Sequence, residues 1–340
     1  MMTTETRPPP PRSTANPAPV RLRDSVRRTS SIDVSWPEGI EKDRLLIGRA
    51  RDLLTPASGL PPRVLAEGRF EALLAEDKTI TAIRADAPAP DLSHLVGERG
   101  GGHLRMVLRE TMPRLVADCD PLYLVLDDIS GSALVSAFAW SQWYPDWAAK
   151  FRERMGAEEH DRLLAQRVNV CWGLREGNSG VTGTLKNVAD ADAGDLRNPA
   201  DPEGWHQLAD ADGPGFRRAR RIDVTHDDAA GVIRIDSAFQ DSAKRRERGR
   251  VAIHEYRLRA TADIRTLEIL TLEPEARILP FSECPGAIGN TARLLGKRLP
   301  DIRDEVLSLL RGSEGCTHLN DALRALADVP KLVSCLREPA

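Results

Sequence analysis

One ten-residue segment occurs twice in this chain, and that repetition limits what the chain can fold into more than any other feature. Arg27-Arg28-Thr29-Ser30-Ser31-Ile32-Asp33-Val34-Ser35-Trp36 aligns without gaps on Arg217-Arg218-Ala219-Arg220-Arg221-Ile222-Asp223-Val224-Thr225-His226, with five of ten positions identical. Further on, Leu95-Val96-Gly97-Glu98-Arg99 aligns on Leu294-Leu295-Gly296-Lys297-Arg298 in the same order. A duplicated chain folds as two similar units about a pseudo-twofold axis. Differences between the copies then point to chemistry that one kept and the other lost. The second copy carries His254, Cys284, Cys316 and His318; at the corresponding places the first offers Gly68, a shortened loop and Asp127-Asp128-Ile129-Ser130.

The pattern along the chain divides it into four parts. Residues 1–23, rich in Pro and Arg, read as a disordered tail that cannot bury enough apolar surface to order itself. Residues 24–139 form the first, degenerate unit and 215–332 the second. In the first, strands are expected over 31–36, 45–54, 63–75 and 79–86, followed by a helix over 103–118 that Pro113 should break, and another near 130–140. In the second, strands are expected over 221–225, 232–239, 252–261 and 266–272, then helices after Cys284, from about 300 to 310, and after Thr317. Sheet followed by helices is an α+β plan, with the helices on one face of an antiparallel sheet in each of two tandem units forming a pseudo-dimer. Residues 140–214 are an insert: Trp140, Trp143, Tyr144 and Trp147 read as an aromatic staple, and 189–214 as an acidic linker.

Composition removes several classes of function. A net charge of −3 gives no basic field for nucleic acid. No apolar run approaches a membrane span. Five scattered cysteines with no apolar leader suggest reduced thiols in a cytoplasmic protein.

The candidate chemistry is metal binding. Cys316 precedes Thr317 and an apolar stripe of Leu319, Leu323 and Leu326, and Cys284 precedes Pro285, so both thiols are expected beside helix N-termini, where the dipole favours thiolate. Cys284, Cys316, His318 and His254 together suit zinc, iron or an iron–sulfur cluster. Asp241 aligns with Asp52 and reads as a structural turn residue. The same residues leave two other readings open: a Cys316 nucleophile with a histidine base, and a non-catalytic interaction module with buried cysteines. A small-molecule or protein partner would enter the groove between the repeats, near the aromatic insert.

The residues Glu314-Gly315-Cys316-Thr317-His318-Leu319, with His254, Cys284-Pro285 and Leu294-Leu295-Gly296 before them, resemble a bacterial family known as domain of unknown function 2889, over about 217–329. A remoter similarity is to iron–sulfur scaffold proteins of the IscU/NifU-like type, which carry an antiparallel sheet followed by helices. That likeness implies a metal-site geometry with Cys284 in the place of the scaffold's cysteine after the last strand, and Cys316 and His318 roughly in the place of its His-Cys pair. The scaffold's early hairpin cysteine has no counterpart, so Asp241 or His254 would have to serve.

Overall fold

The computed structural model describes residues 13–182 and 191–336. Eight strands form one antiparallel sheet: β1 (Ser25–Ser35), β2 (Arg44–Thr55), β3 (Arg63–Leu74), β4 (Ile80–Ala85), β5 (Gly215–Asp227), β6 (Val232–Lys244), β7 (Arg250–Asp263) and β8 (Ile269–Ile278). Their spatial order is β4-β3-β2-β1-β5-β6-β7-β8. Each half contributes a meander of four strands, and the two meanders join where β1 pairs antiparallel with β5. Ser30 lies opposite Arg220 in that pair, and Arg28 lies opposite Ile222 just as Ile32 lies opposite Arg218.

Period-two alternation decides which residues face the helices. Val26, Ile32 and Val34 of β1, and Phe216, Ile222 and Val224 of β5, enter two apolar cores beneath the helices. Each core takes residues from the other half: Val26 and Leu124 pack in the second-half core, and Phe216, Ala243 and Val251 in the first. Two strand positions on this face are glycines for want of room. A Cβ on Gly48 would stand 2.1 Å from the ring of Phe70, and one on Gly68 would stand 2.6 Å from the backbone of Leu122.

The helices lie on this one face. Helix Leu104–Thr111 ends before Met112, and Pro113 opens the next, Pro113–Ala117, as its missing N–H and fixed φ require. Helix Pro121–Asp127 follows with Asp120 as its N-cap, the side chain accepting from Leu122 N at 2.8 Å. Every residue of that helix is buried, so it lacks the one-sided stripe by which a surface helix is recognised in sequence. Beyond helix Ile129–Val135, the expected tryptophan staple is present. Trp140 packs edge-on against Trp36 at 5.3 Å and against Trp147 at 6.5 Å, and Trp143 donates Nε1–H to the carbonyl of Lys244 at 2.9 Å.

The opposite face is covered at its centre by segments expected to be tail and linker. Residues 13–24 lie across it, with Ala18 N donating to Leu196 O at 3.0 Å and Arg21 paired to Asp201 at 2.6 Å. Residues 191–209 pack beside them, and the His206 ring sits between the hydroxyls of Thr29 and Ser31, 2.8 Å from each. This covering explains why β1 is buried on both faces although one carries Arg27, Thr29 and Ser31. Hydrogen bonds and ion pairs hold these segments down, together with a small apolar cluster in which Ala18, Leu196 and Trp205 pack against Ala219 of β5. The start of the expected tail, including Pro8–Pro11, and residues 189–190 of the linker lie outside the described residues. Among the described residues no helix is long and apolar enough to cross a membrane.

Candidate metal centre

Buried charge lies between the sheet and the helices. Arg28 on β1 grips Asp52 on β2 through two hydrogen bonds of 2.6 Å, and Arg218 on β5 grips Asp241 on β6 with bonds of 2.8 and 2.9 Å. Asp241 is therefore a strand residue inside an ion pair, not the turn residue expected from the sequence. Asp127 and Asp128 are also held by arginines of the second half: Arg324 reaches Asp127 at 2.8 Å and Arg220 reaches Asp128 at 2.7 Å. Asp128 stands at the N-cap position of helix Ile129–Val135 but makes no side-chain cap there.

Around Asp241 two histidines converge. β6 and β7 form a hairpin in which His254 lies directly opposite Asp241, immediately before a bulge that shifts the register. Both side chains face the helices, and His254 Nδ1 is 3.2 Å from Asp241 Oδ2. The third member comes from helix Thr317–Arg324, which opens at an extended Cys316 N-cap. The turn before it is tight: a Cβ on Gly315 would stand 2.2 Å from the Leu310 carbonyl, so glycine is required by close approach. Leu319, Ala322 and Leu323 anchor the buried side of the helix, and this seats His318 over the sheet. Its ring stacks on His254 with centroids 3.5 Å apart and planes 16° apart, and Nε2 stands 3.6 Å from Asp241 Oδ2.

One ligand atom from each of Asp241, His254 and His318 lies within 4.8 Å of the others, the single such group of potential metal ligands among the described residues. The electrostatics suit coordination. Burial and the neighbouring His254 hold the His318 imidazole well below its usual pKa, so it is neutral and keeps a lone pair. Burial alone would raise the Asp241 carboxyl, but Arg218, with His254 and His318, holds it far below the usual range as a carboxylate. Arg218 takes the place of an outer-shell partner that fixes a ligand's orientation.

The four residues singled out by sequence separate here. His254 and His318 come together, but with Asp241. Cys316 lies on the far nitrogen of His318, its Sγ 3.9 Å from Nδ1, where Thr317 Oγ1 is also 3.3 Å away. Cys284 packs against the backbone of Gly173, whose Cβ position is 2.4 Å from Sγ. Neither thiol belongs to the group around Asp241. Nor are they activated as helix N-termini would suggest. Burial pushes Cys316 up to about 11 and Cys284 higher still, because desolvation of a thiolate outweighs the few N–H groups that reach it. His254 also faces a different counterpart from Gly68: in β3 the residue opposite Asp52 is Ala66.

The described cavities, of about 160 and 410 Å³, lie on the opposite face of the second-half strands beneath residues 15–25, away from both this group and the aromatic cluster.

Asp241 carried a signal that could have found it. A regular hairpin about the polar, glycine-ended turn Arg245-Arg246-Glu247-Arg248-Gly249 would set Asp241 opposite Ile253, one residue from His254, and the bulge supplies the last step.

Residues 216–331 match the model of a family described as a protein of unknown function, DUF2889. The matched segment contains Asp241, His254, Cys284, Cys316 and His318. No curated protein and no solved structure matches the chain.

Proposed function

We propose that the chain consists of two related halves and that the second binds one divalent transition-metal ion through Asp241, His254 and His318. The observation that carries the metal reading is the convergence of two imidazoles and a carboxylate at ligand separation in a buried place. Nitrogen and oxygen donors in that combination suit zinc and the later first-row divalent ions better than calcium or magnesium, which seek all-oxygen shells. The relation between the halves is supported by register: the aligned positions Ser30 and Arg220 pair with one another at the centre of the sheet, as a pseudo-twofold axis requires, and bulges follow both Asp52 and Asp241.

The site is nearly closed, with Asp241 fully buried and His254 and His318 largely so, and neither described cavity reaches it. A closed site favours an ion that ties strand to helix over one that receives a large substrate. The thiol-nucleophile reading has the Cys316–His318 contact in its favour but requires a thiolate that burial opposes.

The test is metal analysis of untagged, full-length protein beside His254→Ala and Cys316→Ser. About one metal per chain is expected, lost in His254→Ala and retained in Cys316→Ser. Loss in Cys316→Ser with retention in His254→Ala would return the site to the cysteines.

A further inference from the structure

Asp241 is positioned by Arg218, and Arg218 is itself packed against the other half of the chain. Its Nε and Nη2 hold the two oxygens of Asp241, while Nη1 bonds Asp321 Oδ2 at 3.0 Å and lies 3.9 Å from Asp128. That end of the guanidinium is pressed onto helix Ile129–Val135. A Cβ on Gly131 would stand 1.8 Å from Arg218 Nη1 and 2.7 Å from Cζ. The far end of an arginine is ordinarily free to yield. This one is 1% exposed, pinned by carboxylates on two sides and stacked 4.9 Å from the Phe239 ring. A methyl at 131 therefore has to displace the guanidinium that grips Asp241.

Helix propensity gives no reason for this glycine. Within a helix Gly is worse than Ala by about 1 kcal/mol, and φ at 131 is not among the positive values that would call for glycine. Close approach is the remaining explanation, and what approaches is the arginine that orients Asp241. Gly131 also lies outside the 216–331 match, so the second half does not carry its whole positioning apparatus.

We infer that Gly131, in the first half, is a positioning residue for the metal centre, acting through Arg218 on Asp241. This rests on the metal reading above. It makes the first half a working support for the site and not a bystander.

The test is Co²⁺ titration of full-length protein followed by visible absorption, for wild type, Gly131→Ala, Arg218→Lys, the double variant and His318→Ala. Gly131→Ala is expected to weaken Co²⁺ binding by about tenfold, the lower end of outer-shell effects, and to change the shape of the cobalt spectrum, while the metal-free protein keeps its circular dichroism. In the Arg218→Lys background, whose narrower head leaves room for a methyl, the same substitution is expected to cost little more. An unchanged affinity and spectrum in Gly131→Ala, or an equal tenfold loss in both backgrounds, would overturn the inference. Should Gly131→Ala fail to fold, Arg218→Lys decides alone, since an unaltered cobalt spectrum there would remove the transmitting arginine. If His318→Ala binds like wild type, or wild type binds no cobalt, the metal reading fails and the inference with it.

Discussion

Asp52 and Asp241 stand at matching places in the two halves and behave differently. Each is buried, each lies opposite an arginine on the inner strand, and each precedes a bulge. Beyond that the environments part. Across from Asp52 is Ala66, and the free end of Arg28 goes to Asp328 at 2.6 Å, which Arg303 also contacts. Across from Asp241 is His254, with His318 stacked above it. One frame thus supports two outcomes: a closed ion-pair network, and the same network with two imidazoles added to one oxygen of its carboxylate. A buried Arg–Asp pair is weak evidence of function, because such pairs are expensive to desolvate and contribute little net stability. The histidines, and not the aspartate, distinguish the second half.

That comparison can be broken in several ways. The largest effect is expected from Asp52→Ala, which strips Arg28 of its two-point partner; leaving a buried charge so exposed costs about 3–5 kcal/mol, read by urea denaturation. The loss should be independent of added metal. A metal-dependent change would mean that the first half also holds an ion. Next is His254→Ala, compared with wild type in zinc at about 100 times the dissociation constant, where wild type gains about 2.7 kcal/mol that the variant does not. Equal zinc-induced shifts of the melting midpoint would show that the ion is bound elsewhere.

Small near neutral pH, and growing only as acid is added, is an effect on the opposite face. Burial, with the nearby arginines Arg51, Arg217 and Arg49, lowers His206 to about 3, so this ring is neutral when folded but takes a proton near 6.5 when unfolded. A depressed histidine gives stability that is complete above the unfolded pKa and is lost as pH falls from about 6.5 toward 3, at up to roughly 1.4 kcal/mol per pH unit. His318 is depressed as well and adds to the same fall. His206→Gln should therefore flatten the pH dependence only in part, and a slope identical to wild type would show that His206 is not held neutral. The smallest effect belongs to Arg109→Ala, which removes the exposed Arg109–Asp304 pair between helices of the two halves. A cost under about 1 kcal/mol, screened by salt, is expected, and a larger one would mark this surface contact as a true joint.

Much of this was legible in the sequence because it rests on local rules. The strands follow from alternation, the break at 112 from Pro113, and the last helix from its apolar stripe, although its N-cap is Cys316 and not Thr317. The repeated Arg-Arg and Ile-Asp-Val motifs located the two inner strands. What could not be read depends on contacts between distant parts. Helix Pro121–Asp127 is buried all round, so it has no periodic face. Residues 13–24 and 191–209 are fixed by hydrogen bonds to each other and to β1 and by a small apolar cluster on β5, which composition does not reveal. The thiols stand at helix starts as expected, yet burial raises their pKa, and burial is a property of the fold. Asp241 reads as structural in sequence because Asp52 aligns with it, yet what the two share is an arginine partner, and the histidines that set Asp241 apart come from another strand and a distant helix.

The most direct measurement is zinc K-edge X-ray absorption on the full-length protein loaded with one equivalent of zinc. A first shell of nitrogen and oxygen at about 2.0–2.1 Å, with imidazole scattering and no sulfur at about 2.3 Å, is expected for binding by Asp241, His254 and His318. A sulfur shell would place the ion on Cys284 and Cys316 instead, and an unbound, hydrated zinc spectrum would contradict a metal site in this fold altogether.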